Sequence, residues 1–293
     1  MPRIDQHLLD SVVYLYPSEE SAETGTKIGG SGFLIGIWSG QEKVQHLYVV
    51  TNRHVVDGGF SVVRITGNND ETVIRTVPED EQSGWKFPHD PDDLAVWYLG
   101  GQPIAGEQKF SFVPFGALVS QADRGSYCVG DECFMLGRFI RHDGKQRNLP
   151  TARFGNISML PEEQILNSSG QLVDAFLVET RSQAGYSGSP VFVYHEGVTA
   201  YMPVREASAH KRSVSKIKLD THESMIFMLL GIDCAHLPNA AIVTQVNENG
   251  GLTQRPHPDV PDARVELGSG MLAVVPAWKL ADLLNRDDVR PAT

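Results

Sequence analysis

Cysteine is scarce in this chain: Cys128, Cys133 and Cys234 are the only three among 293 residues. So few, and an odd number, cannot form a disulfide framework, which agrees with a reducing compartment. Long apolar runs are also lacking, and no stretch approaches the roughly 20 apolar residues needed to cross a bilayer. The N-terminal MPRIDQHLLDSVVYLY is interrupted by Arg3, Asp5 and Asp10 and never forms the uninterrupted apolar core of a signal peptide. The expected location is therefore the cytoplasm, with no membrane partner. Basic residues are in the minority, 25 against 36 acidic, so the formal net charge is −11 and the pI about 5.3. A field of that sign repels phosphate backbones, which argues against nucleic acid as a partner.

What is present is the composition of a globular protein: 41% hydrophobic and 21% charged residues, with 28 glycines and 17 prolines, which excludes fibrous and disordered classes. Short runs rich in β-branched and aromatic residues recur between turn formers: SVVYLY, SGFLIGIW, HLYVVTNRHVV, FSVVRIT, LAVWYL, CFMLGRFI, AFLVET, PVFVY, MIFMLLGI and MLAVV. This pattern predicts an all-β sandwich or barrel. Helical periodicity is clear only where Trp278, Leu280, Ala281, Leu283 and Leu284 follow Pro276, which predicts one terminal helix. Residues 100–125, rich in glycine and proline, read as a connection between two β halves. Residues 200–224, a small basic island, and 237–267, with Pro238, Pro256, Pro258 and Pro261, read as loops. No repeat of fixed period is present.

The sharpest chemical feature is AGYSGSPVFVY, residues 184–194, in which Gly185 and Gly188 flank Ser187 and a strand follows. A serine among glycines is usually only a turn. Here the turn has a chemical use, because it lets the backbone N–H groups of Gly185 and Ser187 converge as an oxyanion hole. The nucleophile elbow of α/β-hydrolases does not fit, since it requires glycine two residues after the serine and then a helix. A serine nucleophile needs a base and an orienting carboxylate. YVVTNRHVVDGG places His54 just beyond an apolar strand, and PDDLAVWYL places Asp93 immediately before another, with Asp92 and Asp90 as rival carboxylates.

TNRHVV, DLAV and GYSGSP, in the order His, Asp, Ser, resemble the three signature segments of trypsin-like serine proteases. Their separations (93 − 54 = 39 and 187 − 93 = 94) are similar to those of that family, and GSGF at residues 30–33 resembles the strand before its histidine segment. The wording is most similar to bacterial HtrA-like proteases and glutamyl endopeptidases. The resemblance implies two antiparallel β-barrels of chymotrypsin type with a C-terminal helix: residues 1–115 carrying His54 and Asp93, and residues 116–293 carrying Ser187. It implies a serine endopeptidase acting on protein or peptide substrates, with Ser187 as nucleophile, His54 as base and Asp93 as its orienter, and with no metal or organic cofactor. It also implies a specificity pocket built from residues near 181–185, with Arg181 and Ser182, and from the strand LLGIDCAH, with Asp233, Cys234, Ala235 and His236. Arg181 favours an acidic substrate side chain and Asp233 a basic one, and the two could also neutralise each other, so the residues alone set no substrate preference.

The chain departs from that family in two places. Animal trypsin-like enzymes carry, before the serine, an aspartate that pairs with a newly cut N-terminus; here that residue is Tyr186. HtrA-like enzymes carry a PDZ domain of about 90 residues after the protease, which the roughly ten residues beyond the terminal helix cannot supply. Substrate recognition is then expected to rely on the loops at 200–224 and 237–267 or on a separate activating or recruiting partner. The Cys128 and Cys133 pair lacks the further ligands of a zinc site and reads as structural. The alternative to an active protease is a binding or regulatory module that keeps the cleft without cleaving.

Overall fold

A computed structural model describes residues 3–27, 29–39, 44–103, 108–122, 125, 127–138, 144, 147–166, 171–180, 186–195, 226–242, 244–246, 252–256 and 264–290. In the first half, α1 (Gln6–Asp10) precedes β1 (Val12–Tyr16), and α2 (Glu19–Thr24) leads to β2 (Ser31–Ser39) and β3 (Val44–Thr51). Then come α3 (Arg53–Asp57), β4 (Val62–Thr66), β5 (Thr72–Thr76), β6 (Ala95–Pro103), β7 (Val113–Pro114) and a 3-10 turn at Phe115–Ala117. The second half holds β8 (Glu132–Gly137), β9 (Thr151–Met159), β10 (Ile165–Leu166), β11 (Leu172–Val173), β12 (Phe176–Thr180), β13 (Pro190–His195), β14 (Ile226–Ile242), β15 (Thr244–Val246), β16 (Leu252–Pro256), β17 (Arg264–Pro276) and α4 (Ala277–Leu284). The architecture is all-β with a C-terminal helix. The three early helices have five or six residues each, too short to leave an amphipathic period in the sequence.

The first half is a half-barrel, an antiparallel sheet in the order β5-β4-β1-β2-β3-β6 with β7 added in parallel to β2. β1 lies between β2 and β4, and all five of its residues, VVYLY, are buried. A strand covered on both faces reads as a continuous apolar run, as this one does. The period-2 alternation divides its side chains between two cores. Val12, Tyr14 and Tyr16 join the larger cluster that continues into the second half, whereas Val13 and Leu15 point into a smaller cluster with Leu34, Leu47, Val49 and Trp97. Phe33, Ile35, Tyr48 and Val50 of β2 and β3 also belong to the larger cluster. The first sheet thus lends one face to the second half, and this shared apolar cluster holds the two halves against each other.

The second half closes as a six-stranded barrel in the order β12-β17-β14-β13-β8-β9. The helix α4 follows β17 directly and buries Ala277, Leu280, Leu283 and Leu284; of the stripe expected from the sequence, Leu280, Leu283 and Leu284 are buried and Trp278 and Ala281 half-buried. The loop expected over residues 237–267 is corrected for the described residues: β14 runs on to Ile242, β17 begins at Arg264, the two pair over that length, and β15 and β16 pair antiparallel between them. A register shift between Leu237 and Pro238 accommodates the proline, so proline marks an irregularity in the ladder and not its end. The expected loop at 200–224 lies outside the described residues.

Candidate active site

The apolar run of β3 carries the chain to Thr51, Asn52 caps α3, and His54 is that helix's second residue. Asn52 makes no side-chain cap bond; its Nδ2 instead donates to the backbone carbonyl of Asp93 at 2.8 Å. The Asp93 carboxylate then grips His54 twice. Oδ1 accepts the His54 backbone N–H at 2.9 Å, and Oδ2 lies 2.5 Å from Nδ1. This pairing keeps the Nδ1 proton facing the carboxylate and leaves Nε2 as the basic nitrogen. Burial pulls the His54 pKa down, but the hydrogen bond and charge of Asp93, with Asp233 and Asp57 behind them, outweigh burial and raise it above 6.5.

Among the three neighbouring carboxylates, only Asp93 bonds His54 in the described residues. Asp92 is buried and points the other way, 3.1 Å from Nζ of Lys279 on α4, which also meets Asp174 at 3.1 Å and Asp90 at 3.6 Å. Burial pushes the Asp92 pKa up to about 6, Lys279 opposing and Asp90 adding to the rise. Burial alone would lower Lys279, but its carboxylates hold it well above its ordinary value.

Ser187 sits in the turn that enters β13, and the turn is tied at successive backbone atoms. The Ser187 carbonyl accepts Ser31 N–H at 2.8 Å, Gly188 N–H donates to the Asp233 carbonyl at 2.9 Å, and Ser189 N–H donates to the Tyr186 carbonyl at 2.8 Å. Ser31 also accepts, on its carbonyl, the Thr51 hydroxyl at 2.8 Å, and on its hydroxyl, the Arg138 N–H at 3.0 Å. One residue of β2 therefore links the serine turn to the strand that delivers His54. Gly188 has φ +86, and a Cβ there would lie 2.1 Å from the Ser31 carbonyl oxygen and 2.5 Å from Thr51 Oγ1. Only glycine fits both the angle and the gap. Among the described residues no hydrogen bond joins His54 to the Ser187 hydroxyl; the two segments meet through Ser31, Thr51 and Gly188. Ser31, Thr51, Asn52 and Lys279 escaped the sequence reading because their roles depend on partners in distant segments.

Of the expected pocket residues, Arg181, Ser182 and Gly185 lie outside the described residues. Asp233 is 1% exposed, and neither carboxylate oxygen has a hydrogen-bond partner among the described residues. Burial pushes its pKa up to about 7, the His54 charge opposing and the Asp93 charge adding. A bulge falls between Asp233 and Ala235 in the pairing with β17, and Cys234, at that bulge, directs Sγ to the Ala273 carbonyl at 3.2 Å. Ala235 and His236 pair through their backbones with Ala273 and Leu272 of β17. On the opposite side, β13 reaches β14 only as far as Ile232 opposite Pro190, so residues 234–236 present an edge without a strand partner among the described residues. Cys133 is buried on β8, while Cys128 is exposed and bonds Asp131 through its N–H at 2.7 Å.

A carboxylate bonded to an imidazole, and a serine turn tied through Ser31 and Thr51 to the strand that carries that imidazole, suit a serine hydrolase on a two-part β fold. The model of the trypsin-like peptidase domain family matches residues 30–199, and the chain belongs to that family of serine proteases. Its structural neighbours include Deg5, with 23% identity over 64% of this chain and 75% of that one and a TM-score of 0.37. The inactive form of the Rv3671c protease of M. tuberculosis has 17% identity over 95% of this chain and 89% of that one, with a TM-score of 0.42. The HtrA-type protease AlgW with a decapeptide has 14% identity over 95% and 64%, with a TM-score of 0.43. No curated protein matches the chain.

Proposed function

We propose that the chain is a serine endopeptidase that cleaves protein or peptide substrates through an acyl-enzyme, with Ser187 as nucleophile, His54 as general base and Asp93 as its orienter. The observation that carries this reading is the double grip of Asp93 on His54, which sets the ring in the tautomer a base needs. In the reaction, Ser187 Oγ attacks the peptide carbonyl while its proton passes to His54 Nε2. The resulting oxyanion is taken by the Ser187 N–H, with that of Gly185 as the second donor. The tetrahedral species collapses as His54 returns the proton to the departing amine, leaving an ester on Ser187. Water, deprotonated by the same imidazole, then hydrolyses that ester. The edge at residues 234–236 suits an extended substrate, which would add as a strand. The proposed compartment is the cytoplasm, supported by the free thiols of Cys128, Cys133 and Cys234.

The test is labelling by a fluorophosphonate read by intact mass. The wild type is expected to gain one adduct, and His54→Ala and Ser187→Ala none. A folded wild type that neither takes the probe nor cleaves a peptide library would overturn the proposal in favour of a binding module.

A further inference from the structure

Tyr186, the residue immediately before Ser187, is wholly buried although it lies in a turn. Its hydroxyl is hydrogen-bonded to Oγ1 of Thr151, the first residue of β9, and the Arg153 guanidinium lies over its ring, 4.8 Å from the centroid. The space for the ring is kept by Gly137 at the end of β8, where a Cβ would approach Tyr186 Cδ1 to 2.6 Å and Ser189 Oγ to 2.1 Å. Gly137 and Thr151 are themselves paired in the barrel ladder. The ring is therefore anchored to regular strands and not to another loop.

The position of this anchor has a mechanistic consequence. The peptide joining Tyr186 to Ser187 carries the Ser187 N–H, a donor that must point at the developing oxyanion. One end of that peptide is held by the Tyr186 ring, and the other by the Ser187 carbonyl on Ser31. With both ends fixed, the soft torsions between them have little freedom left, and the N–H is aimed before substrate arrives. We propose that Tyr186, through its hydroxyl on Thr151, is a positioning residue that holds the Ser187 N–H preorganised for the transition state. This inference rests on the protease reading above. Tyr186 acts on charge development and not on the His54–Asp93 pair, which it does not touch among the described residues.

The test compares Tyr186→Phe, Thr151→Val and the double variant, all near-isosteric, by the second-order rate of fluorophosphonate labelling and by p-nitrophenyl ester turnover. Each single variant is expected to lose about tenfold in kcat, with KM changed less than twofold and the acid limb of the pH profile unmoved. The double variant is expected to be no worse than either single one, because both remove the same bond. Thr151→Ser, which keeps a hydroxyl, is expected to lose less than Thr151→Val. Thermal melts report folding for each, and Thr151→Val serves if Tyr186→Phe does not fold. Variants that label as fast as an active wild type, or losses that multiply in the double variant, would overturn this inference alone. A wild type that does not label at all overturns the protease reading and this inference with it.

Discussion

Lys279 on the C-terminal helix and Asp92 in the segment before β6 form an ion pair at 3.1 Å, one residue away from the carboxylate that holds His54. Through the same ammonium the helix also holds Asp174, which precedes β12. Arg286 adds a second tie, donating from Nη1 to the Phe87 carbonyl at 2.6 Å. The last elements of the chain thereby brace the segment that carries Asp93. Lys279→Met leaves Asp92 buried without its cation and is expected to cost about 3 kcal/mol. Asp92→Asn leaves the ammonium with two carboxylates and is expected to cost less. Urea unfolding of both variants checks the order.

The raised pKa of His54 sets the direction of the acid limb. The base must be neutral, so kcat/KM is expected to rise with pH through a value above 6.5. Protonated His54 is favoured in the folded state, so its contribution to stability is full below 6.5 and is lost as pH rises through the folded value. Asp93→Asn removes the main cause of the rise. It is expected to shift the limb to lower pH and to reduce activity by about 10⁴-fold. A pH–rate profile of ester hydrolysis measures both.

Asp233 gives the opposite stability slope to a carboxylate whose pKa is lowered by folding. Its folded pKa of about 7 exceeds the ordinary 3.8, so the folded state holds the proton more tightly, and the group's contribution falls as pH rises between those values. Asp233→Asn removes that cost. Its thermal advantage over wild type is expected to grow from about pH 4 to about pH 7 and then level off, reaching roughly 5 °C. A flat difference across that range would contradict a buried, titrating carboxyl at this position.

Gly188→Ala places a methyl against the Ser31 carbonyl at a positive φ. The turn must shift or the two halves must part, so the expected cost is about 3 kcal/mol, with loss of fluorophosphonate labelling. Melting temperature and intact mass check the two effects separately.

Each of the ten apolar runs read from the sequence contains or overlaps a strand, because β-branched and aromatic residues between turn formers are a local signal. The strands β5 and β9, TVIRT and TARFGNISM, leave little apolar signal in the sequence because each buries a single side chain, Val73 and Ile157. The prolines of residues 237–267 read locally as a loop, whereas cross-strand pairing of β14 with β17 outweighs that local preference.

The sequence alone determined the class of fold, the ordered His, Asp and Ser segments and the terminal helix, since each depends on residues close together in the chain. It could name Asp93 over Asp92 only by resemblance; the separate environments of these two neighbours, one on His54 and one on Lys279, arise where distant segments converge. The same holds for Ser31, which bonds Ser187 from 156 positions earlier (187 − 31 = 156), and for the burial of Tyr186 against Thr151. Hydrogen bonds and desolvation depend on distance in space, and a sequence records distance only along the chain.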